Sequence, residues 1–358
     1  MKVCGIVSEY NPFHYGHRYH IQKTKELTHC DILINVMSGH FVQRGEAAIA
    51  DKWSRAQQAV QEGCDIVIEL PYPYAVQSAD GFAYGAITSL SLAGVDSIVF
   101  GSETNDMDAL KQLASQNIPK DPTRSMAQSY EVKSNDILGI AYLKALKDTS
   151  ITPYTIQRTN DYHDLEVSDS IASASAIRHH FMNGEDIEHL TPMSNQLMKE
   201  VEMNHYFPYL QTLLLTMEPN ALSNIFLMEE GLENRMIECA KESTSMKSFV
   251  DCCISKRYTR SRIQRTLVHL LTQTSKQMIG DLPKLSHIRI LAFNDTGRTY
   301  LKELKQRDTR IASKFNQIPA SYRTLDLKAA AAYGIPFSPQ ERLALLKKEV
   351  SSPLLVDL

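Results

Sequence analysis

Four short runs near the N-terminus constrain the fold more than any other feature. Residues 3–7, 32–37, 66–70 and 97–100 are almost continuously apolar and rich in Val and Ile. A strand that is apolar at every position, rather than at alternate ones, is buried on both faces, which marks a parallel sheet covered by helices. Stretches with helical spacing lie between these runs, at residues 16–27, 50–61 and 81–92. A further helical stretch at 135–146 leads to a fifth strand at 154–158, and residues 174–182 read as a helix ended by Asn183-Gly184. The alternation predicts a doubly wound α/β domain over residues 1–184. From 185 to 358 strand signals stop. The segments 208–216, 220–228, 260–278 and 340–350 have helical spacing, so an all-helical region is expected there.

Composition narrows the class. The 358 residues, 43% hydrophobic, supply ample core for two or three domains at roughly 150 residues each. No apolar run reaches the length of about 18 residues that a membrane span needs, and Met1-Lys2-Val3-Cys4-Gly5 reads as the start of a strand rather than a signal peptide. Six scattered cysteines without a CxxC pair predict reduced, mostly buried thiols and a cytoplasmic protein, with Cys252-Cys253 in a helix core. The net charge of −3 conceals a division: residues 1–245 carry 18 Lys and Arg against 32 Asp and Glu, residues 246–358 carry 20 against 9. An acidic front and a basic back point to nucleic-acid contact by the second part.

In open α/β sheets, ligands collect beyond the carboxyl ends of the strands. The first such end reads Val7-Ser8-Glu9-Tyr10-Asn11-Pro12-Phe13-His14-Tyr15-Gly16-His17-Arg18-Tyr19-His20. Neither GxGxxG nor the GxxxxGK phosphate loop is present. In their place His14-x-Gly16-His17 stands at the mouth of a helix. Imidazoles three residues apart share a helix face, beside a first turn whose free N–H groups and dipole favour an anion. Gly16 leaves the backbone open to a flat base or ribose. Two donor imidazoles aimed at one phosphate stabilise the charge that builds during displacement at phosphorus.

These residues carry a resemblance. His14-Tyr15-Gly16-His17 resembles the HxGH signature of the nucleotidyltransferase superfamily. Ser173-Ala174-Ser175-Ala176-Ile177-Arg178 is similar to its second motif, with Ala174 replacing a hydroxyl residue. The blocks at 5–14, 37–46, 68–71 and 100–103, one after each of the first four strands, resemble the tRNA(Met) cytidine acetate ligase family. So do residues 134–139, 161–163, 171–178, 256–260 and 293–298, and the likeness spans nearly the whole chain. His40 and Ala47 depart from it, standing where the family pattern has Asn and Pro.

The resemblance implies a Rossmann-like nucleotidyltransferase domain at 1–184 and a basic tRNA-binding region at 185–358. It implies a two-step reaction: ATP and acetate give acetyl-adenylate and pyrophosphate, and the acetyl group then passes to the wobble cytidine of elongator tRNA(Met) as N(4)-acetylcytidine. ATP, carried with Mg2+, would lie in the loop Val7 to His20 with Gly101 near the adenosine, Asn160 at base or ribose, and Ser175 and Arg178 on the β- and γ-phosphates. His14, His17 and Arg178 would be catalytic. Acetate is nucleophile enough to need no general base, so the site's task is positioning and charge neutralisation.

Other residues are read individually. Arg44, after the second strand, either neutralises acetate or phosphate or pairs with Glu46 or Glu69. Glu9 and Glu69 read as hydrogen-bonding carboxylates rather than metal ligands, since no carboxylate cluster is visible, and no residue is assigned to a metal. His179-His180 read as surface; His20 either supports the site or faces solvent. In Lys256-Arg257-Tyr258-Thr259-Arg260-Ser261-Arg262-Ile263-Gln264-Arg265, phosphate donors mix with an aromatic that can stack on a base. If that stretch is helical, Arg257 and Arg260 share a face. Lys256, Arg257, Arg260 and Arg265 are the expected tRNA contacts, with Lys302, Lys305, Arg307 and Arg310 as a second cluster. Two competing readings are an adenylyltransferase of a small phosphorylated metabolite and an RNA-binding protein with a vestigial nucleotide site.

Overall fold

The structure, a computed structural model, describes residues 1–116, 130, 132–158, 172–307 and 310–358. Its centre is an eight-stranded sheet. The expected strands appear as β1 (Val3–Ser8), β2 (Ile32–Ser38), β3 (Ile66–Leu70), β4 (Ser97–Ser102) and β5 (Thr152–Gln157). All five are parallel and stand in the order β5-β4-β1-β2-β3. The helices α1 (Tyr15–Thr28), α2 (Lys52–Gln61), α3 (Ala79–Leu92), α4 (Met107–Ser115), α5 (Ser134–Leu146) and α6 (Ala174–Asn183) accompany them.

Burial on both faces explains why β2 is almost continuously apolar. Ile34, Val36, Ile66 and Ile68 pack with Phe82, Ala86 and Leu90 of α3 on one face. Leu33, Met37 and Val67 pack with Ile21 of α1 and Ala56, Ala59 and Val60 of α2 on the other. The chain runs from β1 through β2 to β3 in one direction, then returns to place β4 on the far side of β1. The crevice between the ends of β1 and β4 is therefore the topological switch point, where such sheets bind ligands.

The region after 185 is mostly helical: α7 (Phe207–Thr216), α8 (Leu232–Glu242), α9 (Met246–Cys253), α10 (Arg260–Leu271), α11 (Asp295–Gln306), α12 (Ala320–Tyr333) and α13 (Pro339–Glu349). Tyr206, Leu210, Met236, Phe249, Leu267 and Tyr333 form its core, which also takes in Trp53 and Tyr72 from the first half. The all-helical expectation needs one correction. β6 (Ile288–Phe293) extends the same sheet antiparallel to β3, and the two-residue strands β7 (Ile311–Ala312) and β8 (Leu354–Leu355) pair with β6. Because β6 runs backwards, its first residues, including Arg289 opposite Glu69, arrive at the rim where the parallel strands end.

The cysteine expectation is also corrected. Cys239 of α8 and Cys252 of α9 form a disulfide, while Cys4, Cys30, Cys64 and Cys253 are free thiols. The two helices bring Cα atoms 13 positions apart in sequence to within 5.8 Å, inside bridging range. Cys253 is buried as expected, whereas Cys252 is exposed. Among the described residues no helix is long and apolar enough to cross a membrane.

Candidate active site at the strand-end rim

The first strand hands its chain directly into α1. Tyr10 adopts a left-handed backbone (φ 49°) and the Asn11–Pro12 peptide is cis. His14, extended, is the N-cap of α1, and the two histidines of the motif build that cap reciprocally. The Gly16 N–H donates to His14 Nδ1 at 3.1 Å, and the His14 N–H donates to His17 Nδ1 at 3.2 Å. They thus satisfy donors that a helix start leaves open. The rings lie 3.8 Å apart at 32°. Tyr10 and Phe13 brace His17 at ring separations of 4.7 and 5.5 Å.

This capping decides the protonation chemistry. Each Nδ1 accepts a backbone N–H, so in the neutral ring the proton sits on Nε2. Burial, reinforced by the positive charges of Arg158 and Arg178, pushes His14 down to about 3. Burial and the neighbouring His14 hold His17 well below the ordinary range. Both rings are therefore neutral Nε2–H donors at physiological pH. Burial and Arg158 push His20, one turn on, down to about 4, and its inward Nε2 has no partner among the described residues.

Arg178 enters from the first turns of α6, whose N-cap Ser173 accepts the Ala176 N–H at 3.1 Å. The guanidinium donates to the Asn11 carbonyl at 2.7 Å and the Glu46 carboxylate at 3.3 Å, with Ser175 Oγ at 3.5 Å. Arg178 is thereby fixed against the loop that leads into α1. Ser173 is committed to the cap, leaving Ser175 as the hydroxyl beside the arginine.

The loop after β2 closes this corner. Gln43 N–H donates to Glu9 at 2.6 Å, so Glu9 is a hydrogen-bonding carboxylate. Val42 and Glu46 face each other across a turn, Val42 N to Glu46 O at 2.9 Å. Of the carboxylates offered as partners for Arg44, Glu46 pairs with Arg178 and Glu69 with Lys52 and Arg289. Arg44 lies close enough to Glu9 and Arg265 for its charge to act on both.

At the other side of the crevice, Ser102, which ends β4, and Glu103 and Thr104 beyond it are locked to the start of α5. Asp136 accepts from Ser102 Oγ and from the Glu103 and Thr104 N–H groups, while Glu103 accepts the Asn135 and Asp136 N–H groups. This fixes Gly101, the expected adenosine neighbour. Asn160 lies outside the described residues.

Besides Arg289 of β6, sequence reasoning missed three cations at this rim. Arg55 of α2 is fully buried and donates to the carbonyls of Glu9, Ser38, Gly39 and Ala50, stitching the ends of β1 and β2 together. Lys52, one turn earlier, donates to Glu69 at 2.6 Å and Glu349 at 2.8 Å. Glu349, at the end of α13, also accepts from Arg289 at 2.5 Å and pairs with His40 Nε2 at 3.0 Å. The available signal was that Lys52 and Arg55 share the stripe of α2 with Ala56 and Ala59, where an amphipathic helix buries apolar residues. The third, Arg158, is taken up below.

The basic stretch divides. Thr259 caps α10, so Arg257 precedes the helix and does not share a helix face with Arg260, contrary to expectation. Tyr258 is buried, its hydroxyl donating to the Glu230 carbonyl at 2.7 Å, so the stacking role expected of it is corrected to a packing one. Arg262 pairs with Glu229 at 3.3 Å, and Arg260 pairs with Asp251. Arg265 is half-buried under the loop after β2, and burial pushes it down to about 10. Lys256 and Arg257 are exposed. His179 is exposed as expected, and His180 pairs with Glu185 at 2.6 Å.

The family described as HIGH Nucleotidyl Transferase matches residues 1–132 and 119–347. A tRNA(Met) cytidine acetate ligase from Oceanobacillus iheyensis is 36% identical over 99% of this chain and 100% of its own. One from Thermoanaerobacter sp. (strain X514) is 40% identical over 86% of this chain and 87% of its own. The crystal structure of apo Thermotoga maritima TmcAL superposes with a TM-score of 0.90 at 29% identity, covering 99% of this chain and 100% of that one. TmcAL bound with alpha-thio ATP superposes at 0.87, with 29% identity and both chains covered completely. The family model and these relatives cover most of the chain, which therefore belongs to the tRNA(Met) cytidine acetate ligase family of HIGH nucleotidyl transferases.

Proposed function

We propose that this protein activates acetate with ATP and transfers the acetyl group to the wobble cytidine of elongator tRNA(Met), giving N(4)-acetylcytidine. The observation that carries the first step is the reciprocal cap of α1, which leaves two neutral imidazoles with Nε2–H donors at the switch-point crevice. An acetate oxygen attacks the α-phosphorus, the bond to the bridging oxygen breaks, and pyrophosphate departs. His14 and His17 neutralise the charge that builds on the phosphate oxygens without exchanging a proton, an effect of fixed donors in a dry site. Arg178 takes the leaving pyrophosphate. In the second step the cytidine N4 attacks the acetyl carbon, AMP leaves with the electron pair of the broken C–O bond, and the amine loses a proton.

The site residues are assigned accordingly: the loop Val7 to His20, Gly101, Asn160, Ser175 and Arg178 to ATP, and Arg44 to acetate. Glu9 is engaged by Gln43 and Glu69 by Lys52 and Arg289, so Mg2+ is assigned to the MgATP substrate. The division of labour places adenylation in residues 1–184 and tRNA contact in the basic residues 185–358. Lys256 and Arg257, with Arg260 and Arg265 beside them, meet the phosphate backbone. Mass analysis of nucleosides from elongator tRNA(Met) incubated with the protein, ATP and acetate tests the whole reading. N(4)-acetylcytidine that requires both small substrates is expected. Exchange of pyrophosphate into ATP that needs a phosphorylated metabolite instead of acetate would overturn it.

A further inference from the structure

Arg158 follows β5 directly and belongs to no motif. Its N–H donates to the Ser102 carbonyl at 2.9 Å, which carries the β4–β5 ladder one step past the rim and fixes its backbone. Its Nη1 donates to Asn135 Oδ1 at 3.2 Å. Its aliphatic stem lies across Gly101: a Cβ there would stand 3.0 Å from Arg158 Cγ and 3.1 Å from Cδ, so the glycine opens room for the arginine. The residue is exposed to solvent. Its charge reaches His14, His17 and His20, each of which it helps hold neutral. The crevice is thus flanked by two guanidiniums: Arg178 anchored to Asn11 on the β1 side, and Arg158 anchored to Asn135 on the β4 side.

The chemistry gives two cations distinct tasks. Once pyrophosphate leaves, the acyl-adenylate keeps one anionic phosphate, and with Arg178 anchored on the β1 side beside the phosphates that leave, that charge is left to the cation on the β4 side. We infer that Arg158 is a further binding residue for the reaction, gripping the α-phosphate that stays with the adenosine while Arg178 serves the phosphates that leave. The inference rests on the nucleotide site proposed above.

Equilibrium binding of ATP, AMP and adenosine to the full-length chain separates these roles, by displacement of a fluorescent ATP analogue. Arg158→Met keeps the stem over Gly101 and removes the charge; Arg158→Lys restores a charge without the fork. Losing a charge-assisted hydrogen bond lowers affinity about 10- to 100-fold. Arg158→Met is expected to weaken ATP and AMP by that factor and leave adenosine unchanged, with partial recovery in the lysine variant. Arg178→Met is expected to weaken ATP but not AMP. Equal loss of adenosine would show that Arg158 only shapes the pocket, and unchanged AMP binding, or a wild type that binds ATP but not AMP, would overturn the inference. A wild-type chain that binds none of the three would instead overturn the nucleotide site itself.

Discussion

At the scale of single residues, His14 serves two ends with two atoms: Nδ1 caps the helix and Nε2 faces the crevice. The two can be separated. Serine is a good N-cap, so His14→Ser should keep the thermal midpoint close to wild type while acetate-dependent pyrophosphate–ATP exchange falls about 100-fold or more, as when one fixed donor is removed from a charge-stabilising site. A variant that unfolds but keeps its exchange rate per folded molecule would contradict the assignment. The two imidazoles were legible in the sequence because the motif sets their spacing. Arg55 was marked only by its place on the apolar stripe of α2, and Arg158, a lone arginine after a strand, by no pattern at all. Only the fold reveals that one binds four carbonyls and the other lies across a glycine.

At the scale of elements, β1 to β5 and their helices were legible because continuous burial writes a continuous apolar run. β6 was not: Arg289 interrupts Ile288–Phe293, and it is there because the antiparallel direction delivers it to the acidic rim. Its partner Glu349 fastens α13 to the sheet through three cationic or imidazole partners while fully buried. Removing one partner of a buried ionic network costs about 3–5 kcal/mol, so Glu349→Ala should lose that much stability in urea denaturation, far more than an exposed Glu→Ala. The loop after β2 gives a second test. Gly45 has φ +78°, and a Cβ would stand 2.3 Å from the backbone nitrogen of Arg265. Gly45→Ala should therefore lower the melting temperature and displace the loop from α10, read as faster amide exchange at residues 42–46; unchanged exchange would contradict the packing.

At the scale of the molecule, the charge division and the buried histidines set solution behaviour. Burial pushes His14 and His269 down to about 3 and His20 and His287 down to about 4, and lowers His17 and His40 as well. A histidine whose folded pKa is depressed binds protons more readily when unfolded. Its contribution is complete above the ordinary value of 6.5 and is lost as pH falls from there. Burial raises Glu9, and raises Asp326 to about 7; these contribute below their ordinary range and lose that contribution as pH rises through the folded value. Six histidines outweigh two carboxyls, so the melting temperature should fall steadily from pH 6.5 to 4; a flat profile would contradict the buried, neutral rings. The basic half predicts salt-sensitive tRNA binding. Replacing Lys256 and Arg257 with Ala should flatten the slope of log K against log salt by about one unit for each phosphate contact removed. An unchanged slope would move the RNA surface elsewhere. The charge split was legible in the sequence, but which charges are paired was not, since Glu229 and Asp251, which pair with Arg262 and Arg260, are brought in by the fold.

A crystal structure of this chain with a non-hydrolysable ATP analogue tests the central claim most directly. The account predicts phosphate oxygens within hydrogen-bond distance of Nε2 of both His14 and His17, with the adenosine toward Gly101. A nucleotide seated away from the β1–α1 junction, or one whose phosphates leave both imidazoles unengaged, would contradict it.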